Sequence, residues 1–193
     1  KLLLYGFSIL FFASYGQTFF ISLFNTEIRI FYDLSDGEFG LVYSIATLSS
    51  SFLLISFAKL IDHLDLRVYS FIITLGFLLA CLGMVFLIKN ILYLFLIIFM
   101  LRFFGQGAMD HAGGTTMARY FGNDKGKALS VATLGGMLGV MFLPYFALNF
   151  FSDIEISQLW FYATCSIIFF IPFIFFILSN HKNRHEKFKT EIK

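Results

Sequence analysis

The sequence predicts an all-α integral membrane protein, with six transmembrane helices arranged as two inverted three-helix repeats. Three observations lead there. The 193 residues are 59% hydrophobic and 13% charged, with a mean hydropathy of +0.82; a soluble domain carries about 25% charged residues. The apolar residues gather into six runs, each about 20 residues or longer, enough to cross about 30 Å of hydrocarbon as helix. Short motifs in the first two runs return in the fourth and fifth.

The first run, Leu2 to Phe24, begins at once after Lys1, with no initiating Met, so the chain reads as an internal fragment. The run spans a membrane by itself and no small-residue cleavage site follows, which argues against a signal peptide. The second and third runs, Phe39 to Ala58 and Val68 to Ile88, flank the charged stretch AKLIDHLDLR. The fourth, Leu92 to about Thr115, holds Arg102 and Asp110. The fifth, Ala128 to Phe151, carries Gly135 and Gly139, a GxxxG pair that permits close helix packing. The sixth is Leu159 to Leu178. Pro144 and Pro172 fall inside the fifth and sixth runs and are expected to bend them. Backbone groups in lipid must bond internally, so these runs are helices; the alternation of a barrel strand is absent. Cys81 and Cys165 lie in apolar runs and read as packing residues, not a disulfide framework.

Basic residues set the orientation. Lys1, Lys59, Arg67, Arg119, Lys125, Lys127, Lys182, Arg184, Lys187, Lys189 and Lys193 fall on one side, against Arg29 and Lys89 on the other. Both ends are therefore expected in the cytoplasm, and residues 181–193 read as a basic tail or linker touching the lipid surface. A net charge of +2 fits basic loops and gives no reason to invoke nucleic acid.

SIATLSSSF, from Ser44 to Phe52, returns as SVATLGGML from Ser130 to Leu138; YGQT at Tyr15 to Thr18 returns as FGQG at Phe104 to Gly107. The bundle, residues 1–180, then divides into repeats of residues 1–88 and 91–180. An odd number of helices per repeat places the second upside down relative to the first, a transporter architecture.

The charged stretch from Ala58 to Arg67 resembles a loop signature of the major facilitator superfamily, Gly-x-Leu-x-Asp-Arg-x-Gly-Arg-Arg. Leu60, Asp62 and Arg67 match; Ala58, His63, Asp65 and Leu66 depart from it. LRFFGQGAM in the fourth run resembles the family's motif of an Arg with glycines, at a shifted glycine spacing, and ARYFGNDKGKALSVATLGGMLGVMFLP resembles its next loop and glycine-rich helix. The resemblance covers essentially the whole chain and implies the N-terminal six-helix half of a transporter, a multi-pass protein of a cell membrane of the bacterial inner-membrane kind. It also implies a missing C-terminal half as partner, and a loop, with Asp62 and Arg67, that latches the halves in one access state. Asp62 is placed to accept from a neighbouring helix N-terminus, and Arg67 to pair with Asp62 or a lipid headgroup.

A charge inside the membrane costs about 2.5–3.5 kcal/mol on insertion scales and needs a reason. At helical spacing Arg102, Gln106, Met109, Asp110, Gly113 and Met117 share one stripe. Arg102 and Asp110 lie about 12 Å apart along the axis, too far to pair directly. Arg102 either holds an anionic substrate group, or serves proton coupling, or ties neighbouring helices together. Asp110 is either a proton carrier or a hydrated carboxylate near the cytoplasmic end. His111 points away from it and reads as a packing residue. Gln17, with Ser14 and Thr18, makes a polar patch; the resemblance puts this helix on the central cavity, with Gln17 as a substrate contact.

Enzyme chemistry finds no support. A rhomboid-type protease needs a Gly-x-Ser motif and a membrane histidine dyad, haem needs paired histidines, and zinc needs HExxH or a cysteine cluster. No cofactor is expected. The expectation is a secondary transporter of a small solute, Arg102 pointing to an organic anion such as a monocarboxylate; the alternative is a six-helix channel acting as a homo-oligomer.

Overall fold

The computed structural model describes residues 1–150 and 155–179; residues 151–154, with Asp153, and the basic tail at 181–193 lie outside them. Among the described residues there is no strand. Five helices are long and apolar enough to cross a membrane: Asp36–His63, Leu66–Val85, Ile91–Tyr120, Gly122–Asn149 and Ile156–Ile177. A bent pair, Leu2–Gly16 and Thr18–Tyr32, supplies one more span with a 40° bend. These are called the first to sixth spans in chain order, starting with the bent pair.

The first span is longer than its apolar run and broken in the middle. It starts as helix Leu2–Ala13, tightens to a 3-10 turn at Ser14–Gly16, opens at Gln17 (φ −79°, ψ 153°) and continues to Tyr32. Asp33, in the left-handed region at φ 54°, ends it. Ser35 then starts the second span with a capping box: its hydroxyl accepts from the Glu38 N–H, and the Glu38 carboxylate accepts from the Ser35 N–H at 2.8 Å. Those reciprocal bonds satisfy donors that a helix start leaves open. Asp65 and Asn90 cap the third and fourth spans in the same spirit, each accepting backbone N–H bonds.

The first span packs on the fifth and fourth, the second on the fourth, and the third on the sixth and fourth. Exchanging the first three spans for the last three maps the pairing of first with fifth onto that of fourth with second, and returns third with sixth unchanged. Tyr5, Tyr69, Phe77 and Trp160 are fully buried between them. The Tyr5 hydroxyl meets Ser70 at 2.7 Å and ties the first span to the third. Trp160 of the sixth span meets Phe20 of the first edge-on, ring centres 5.5 Å apart. The second span contributes least to this interior, with only 11% of its apolar window buried.

Loops that the topology places at one end do meet. Lys89 pairs with Asp33 at one end, and Asp62 with Arg119 at the other, where Lys1 also donates to Ser179. The prolines do not interrupt anything: Pro144 lies inside the continuous helix Lys125–Phe150 and Pro172 inside Ile156–Ile177. The break that the structure does show falls in the first span, at Gln17.

Candidate functional site

The polar centre of the bundle forms where two irregular stretches of backbone touch. One is the break in the first span. The other is in the fourth span, which runs as α-helix from Ile91 to Met100, as π-helix over Leu101–Met109, and as α-helix again over Asp110–Tyr120. They meet at Gly16 and Gly105. A Cβ on Gly16 would lie 2.5 Å from the Leu101 carbonyl oxygen and 2.8 Å from Gly105 Cα; a Cβ on Gly105 would lie 2.6 Å from the Phe77 ring. Only glycine permits this approach. The shifted glycine spacing in LRFFGQGAM falls inside the π segment. Bonding i to i+5 takes one more residue into a turn than bonding i to i+4, so the altered spacing is absorbed locally.

The two charges in the middle of the fourth span both use the break. Arg102 Nη1 donates to the Gly16 carbonyl at 3.4 Å, and Gln17 Nε2 donates to Asp110 Oδ2 at 2.9 Å. Eight residues apart in sequence, Arg102 and Asp110 thus reach consecutive residues of one partner. Irregular backbone at membrane depth persists only where protein or a cavity satisfies it, and here Arg102 does part of that. Arg102 is 7% exposed, with its guanidinium 5.5 Å from the centre of the Tyr43 ring. Tyr43 in turn donates to Thr18 Oγ1 at 3.0 Å, joining the second span to the first just past the break.

Beside Arg102 a cavity of about 160 Å³ opens between the second and fourth spans, lined by Thr47, Ser50, Ser51, Leu54, Arg102, Gln106 and Gly107. Arg102 Nε, Gln106 Oε1 and Thr47 Oγ1 are buried there without hydrogen-bond partners. Each such atom costs about 1–3 kcal/mol. No carboxylate lies within ion-pair distance of Arg102 among the described residues. His111 sits one turn below Thr115, 3.4 Å from its hydroxyl. No group of His, Cys, Asp and Glu among the described residues could hold a metal ion.

The charged loop is built differently from its expectation. Asp62 pairs with Arg119 from the end of the fourth span, and Arg119 also donates to the Ile61 carbonyl at 3.3 Å. Arg67 does not pair with Asp62. Its N–H donates to Asp65 Oδ1 at 2.8 Å and its side chain lies 3.7 Å from the same carboxylate, because Asp65 caps the helix Leu66–Val85, of which Arg67 is the second residue. Gly135 and Gly139 face the first span, where a Cβ would strike the Phe7 carbonyl oxygen at 2.0 Å and Ser14 Oγ at 2.3 Å.

Sequence reasoning named Gln17, Arg102, Gln106 and Asp110; in the structure Gln17 bonds Asp110, while Arg102 and Gln106 line the cavity. That reasoning missed Tyr43, Thr47, Ser50, Ser51 and Arg119. Thr47, Ser50 and Ser51 were visible only as members of a repeated motif and Arg119 only as part of a basic loop, while Tyr43 carried no signal of its own.

Apolar spans around a buried seam of Arg, Asp, Gln and hydroxyl groups define a multi-pass membrane protein with a polar site at membrane depth. The family model of the Major Facilitator Superfamily matches residues 6–193, and the chain belongs to that superfamily of membrane transporters, whose members move small molecules across membranes. No curated protein and no solved structure matches it.

Proposed function

We propose that this chain forms the N-terminal half of a secondary transporter that moves a small organic anion by alternating access, with both of its ends in the cytoplasm. A second six-helix half would close the site, and the two would rock about it. The observation that carries the reading is Arg102: a cation 7% exposed, inside a span, beside a cavity, with no carboxylate within ion-pair distance among the described residues. A buried cation is stable only when paired, and an anionic substrate supplies the pair. Asp110, bonded to Gln17 at the break, is the group through which a proton is coupled to movement of the first span. The Asp62–Arg119 pair holds the second and fourth spans together at the basic end and forms the latch of one access state. The map of helix pairings onto itself supports two inverted repeats.

The test is uptake by the complete protein in proteoliposomes, using labelled small carboxylates. Arg102→Lys keeps the charge but loses the planar fork, and should lower uptake more than tenfold at unchanged protein level. Unaltered transport kinetics in this variant would remove Arg102 from the substrate.

A further inference from the structure

We infer that the anion is a hydroxycarboxylate, recognised at its hydroxyl by Ser50 and Ser51; this rests on the reading that Arg102 holds the carboxylate. The cavity presents both donors and acceptors. On the fourth span stand Arg102, which can only donate, and Gln106, whose buried Oε1 accepts and has no partner among the described residues. On the second span stand Thr47, whose hydroxyl is likewise unpartnered, and Ser50 and Ser51. The Ser50 hydroxyl donates to the Thr47 carbonyl at 2.8 Å, and the Ser51 hydroxyl donates to the same carbonyl at 2.9 Å. A serine hydroxyl has one proton. With both protons committed to their own helix, these oxygens can offer the cavity only lone pairs. Arg102 therefore calls for an anionic acceptor on the ligand, and Gln106 Oε1 with the two serine oxygens calls for a hydrogen-bond donor on the same ligand.

The donor is a neutral hydroxyl rather than an ammonium. None of the cavity's lining residues is acidic, so an ammonium would enter with no carboxylate to pair it, beside a guanidinium that repels it. An unsubstituted carboxylate fails in the other direction, because it leaves the serine lone pairs dehydrated with nothing to accept from. The size agrees. At about 30 Å³ per water, the 160 Å³ corresponds to about five waters, room for an acid of a few carbons. Leu54 closes the apolar end: a Cβ on Gly107 would lie 2.9 Å from Leu54 Cδ2, so the two are already in contact.

The experiment compares 2-hydroxypropanoate (lactate), propanoate and alanine as ligands of the complete protein in nanodiscs, by competition and by calorimetry. Lactate and propanoate differ only in the hydroxyl, and alanine replaces it with an ammonium. One hydrogen bond of this kind is worth about tenfold in affinity, so lactate should bind about ten times more tightly than propanoate, with alanine weakest. In the variant Ser50→Ala/Ser51→Ala the ratio of lactate to propanoate should fall close to one. These hydroxyls donate to their own helix, so the change removes no interhelical hydrogen bond given by them; should the variant not fold, the ratio in the unaltered protein decides. Equal binding of lactate and propanoate overturns the hydroxyl recognition and leaves the anion reading standing. Tighter binding of alanine, or a ratio unchanged in the double variant, also overturns it. If none of the carboxylates binds, the anion reading falls with it.

Discussion

Gly135→Ala should be one of the most damaging single-methyl changes in this chain, and Gly136→Ala, one residue on, should be harmless. A Cβ at 135 would lie 2.0 Å from the Phe7 carbonyl oxygen, 2.7 Å from its carbon and 2.9 Å from Phe7 Cα. All three atoms are backbone, so no side chain can rotate away. Carbon and oxygen rest at about 3.3 Å or more, so the first and fifth spans would have to part by about 1.3 Å. A gap of about 0.5–1 Å already forfeits a quarter to a half of each dispersion contact; over about 40 atom pairs of about 0.15 kcal/mol, that is about 2 kcal/mol. Overpacked cores lose about 1–3 kcal/mol by measurement, in agreement. At Gly136 the nearest atoms would be Leu10 Cβ at 3.7 Å and the Leu10 carbonyl oxygen at 3.8 Å, ordinary contact. Alanine there keeps the seam and gains about 0.5–1 kcal/mol of helix propensity. The assay is denaturant unfolding in mild detergent followed by the emission of Trp160. It is the sole tryptophan, fully buried against Phe20 of the first span, and reports the departure of that span. If Gly135→Ala and Gly136→Ala unfold at the same midpoint, the spans do not approach as described.

Other tests address the polar groups. Asp62→Asn and Arg119→Gln should each slow uptake, and the double variant should be no slower than the worse single one; additive losses would mean that the two do not act as a unit. The pair is too exposed, with Asp62 at 53%, to move stability by more than about 1 kcal/mol, which thermal unfolding checks. Asp110→Asn keeps an oxygen for Gln17, so exchange of substrate across the membrane should persist while accumulation driven by a pH gradient disappears; accumulation at the original level would exclude Asp110 from coupling. Tyr43→Phe removes the bond to Thr18 but leaves the ring beside Arg102, and should weaken substrate affinity less than Tyr43→Leu; equal losses would show that the ring does not hold the guanidinium.

Hydropathy located the spans because lipid imposes it residue by residue. It located their ends less well. The second span starts at Asp36 rather than Phe39, since Ser35 and Glu38 make a capping box that no hydropathy window registers. The break at Gln17 was also invisible: no proline marks it, and its cause is Gly16 pressed against Gly105, a contact 89 residues apart in sequence. The stripe through Arg102 and Asp110 assumed an uninterrupted α-helix, yet its members all came out buried or half-buried. What periodicity could not supply was the opposite wall. Thr47, Ser50 and Ser51 come to line the cavity only because the second span turns that face toward Arg102, and which helix meets which is decided by packing. The pairing of Arg67 with Asp62 fails for a local reason: the second residue of a helix is already engaged by the aspartate that caps it.

The π-wound stretch bears on how such chains diverge. In an ordinary membrane helix, inserting one residue turns everything beyond it by about 100° and swings polar side chains into lipid, so single-residue gains and losses should be rare there. A helix that stores its surplus residue within Leu101–Met109 escapes that penalty. Alignments of relatives should then show one-residue gaps opening at this depth and nowhere else in the fourth span, and a pattern demanding fixed spacing between the arginine and its glycines will pass over chains that carry the same constellation. Excising one residue from the stretch would, by the same token, act less as damage than as a return to plain helix, trading the Gly16–Gly105 contact for regular bonding.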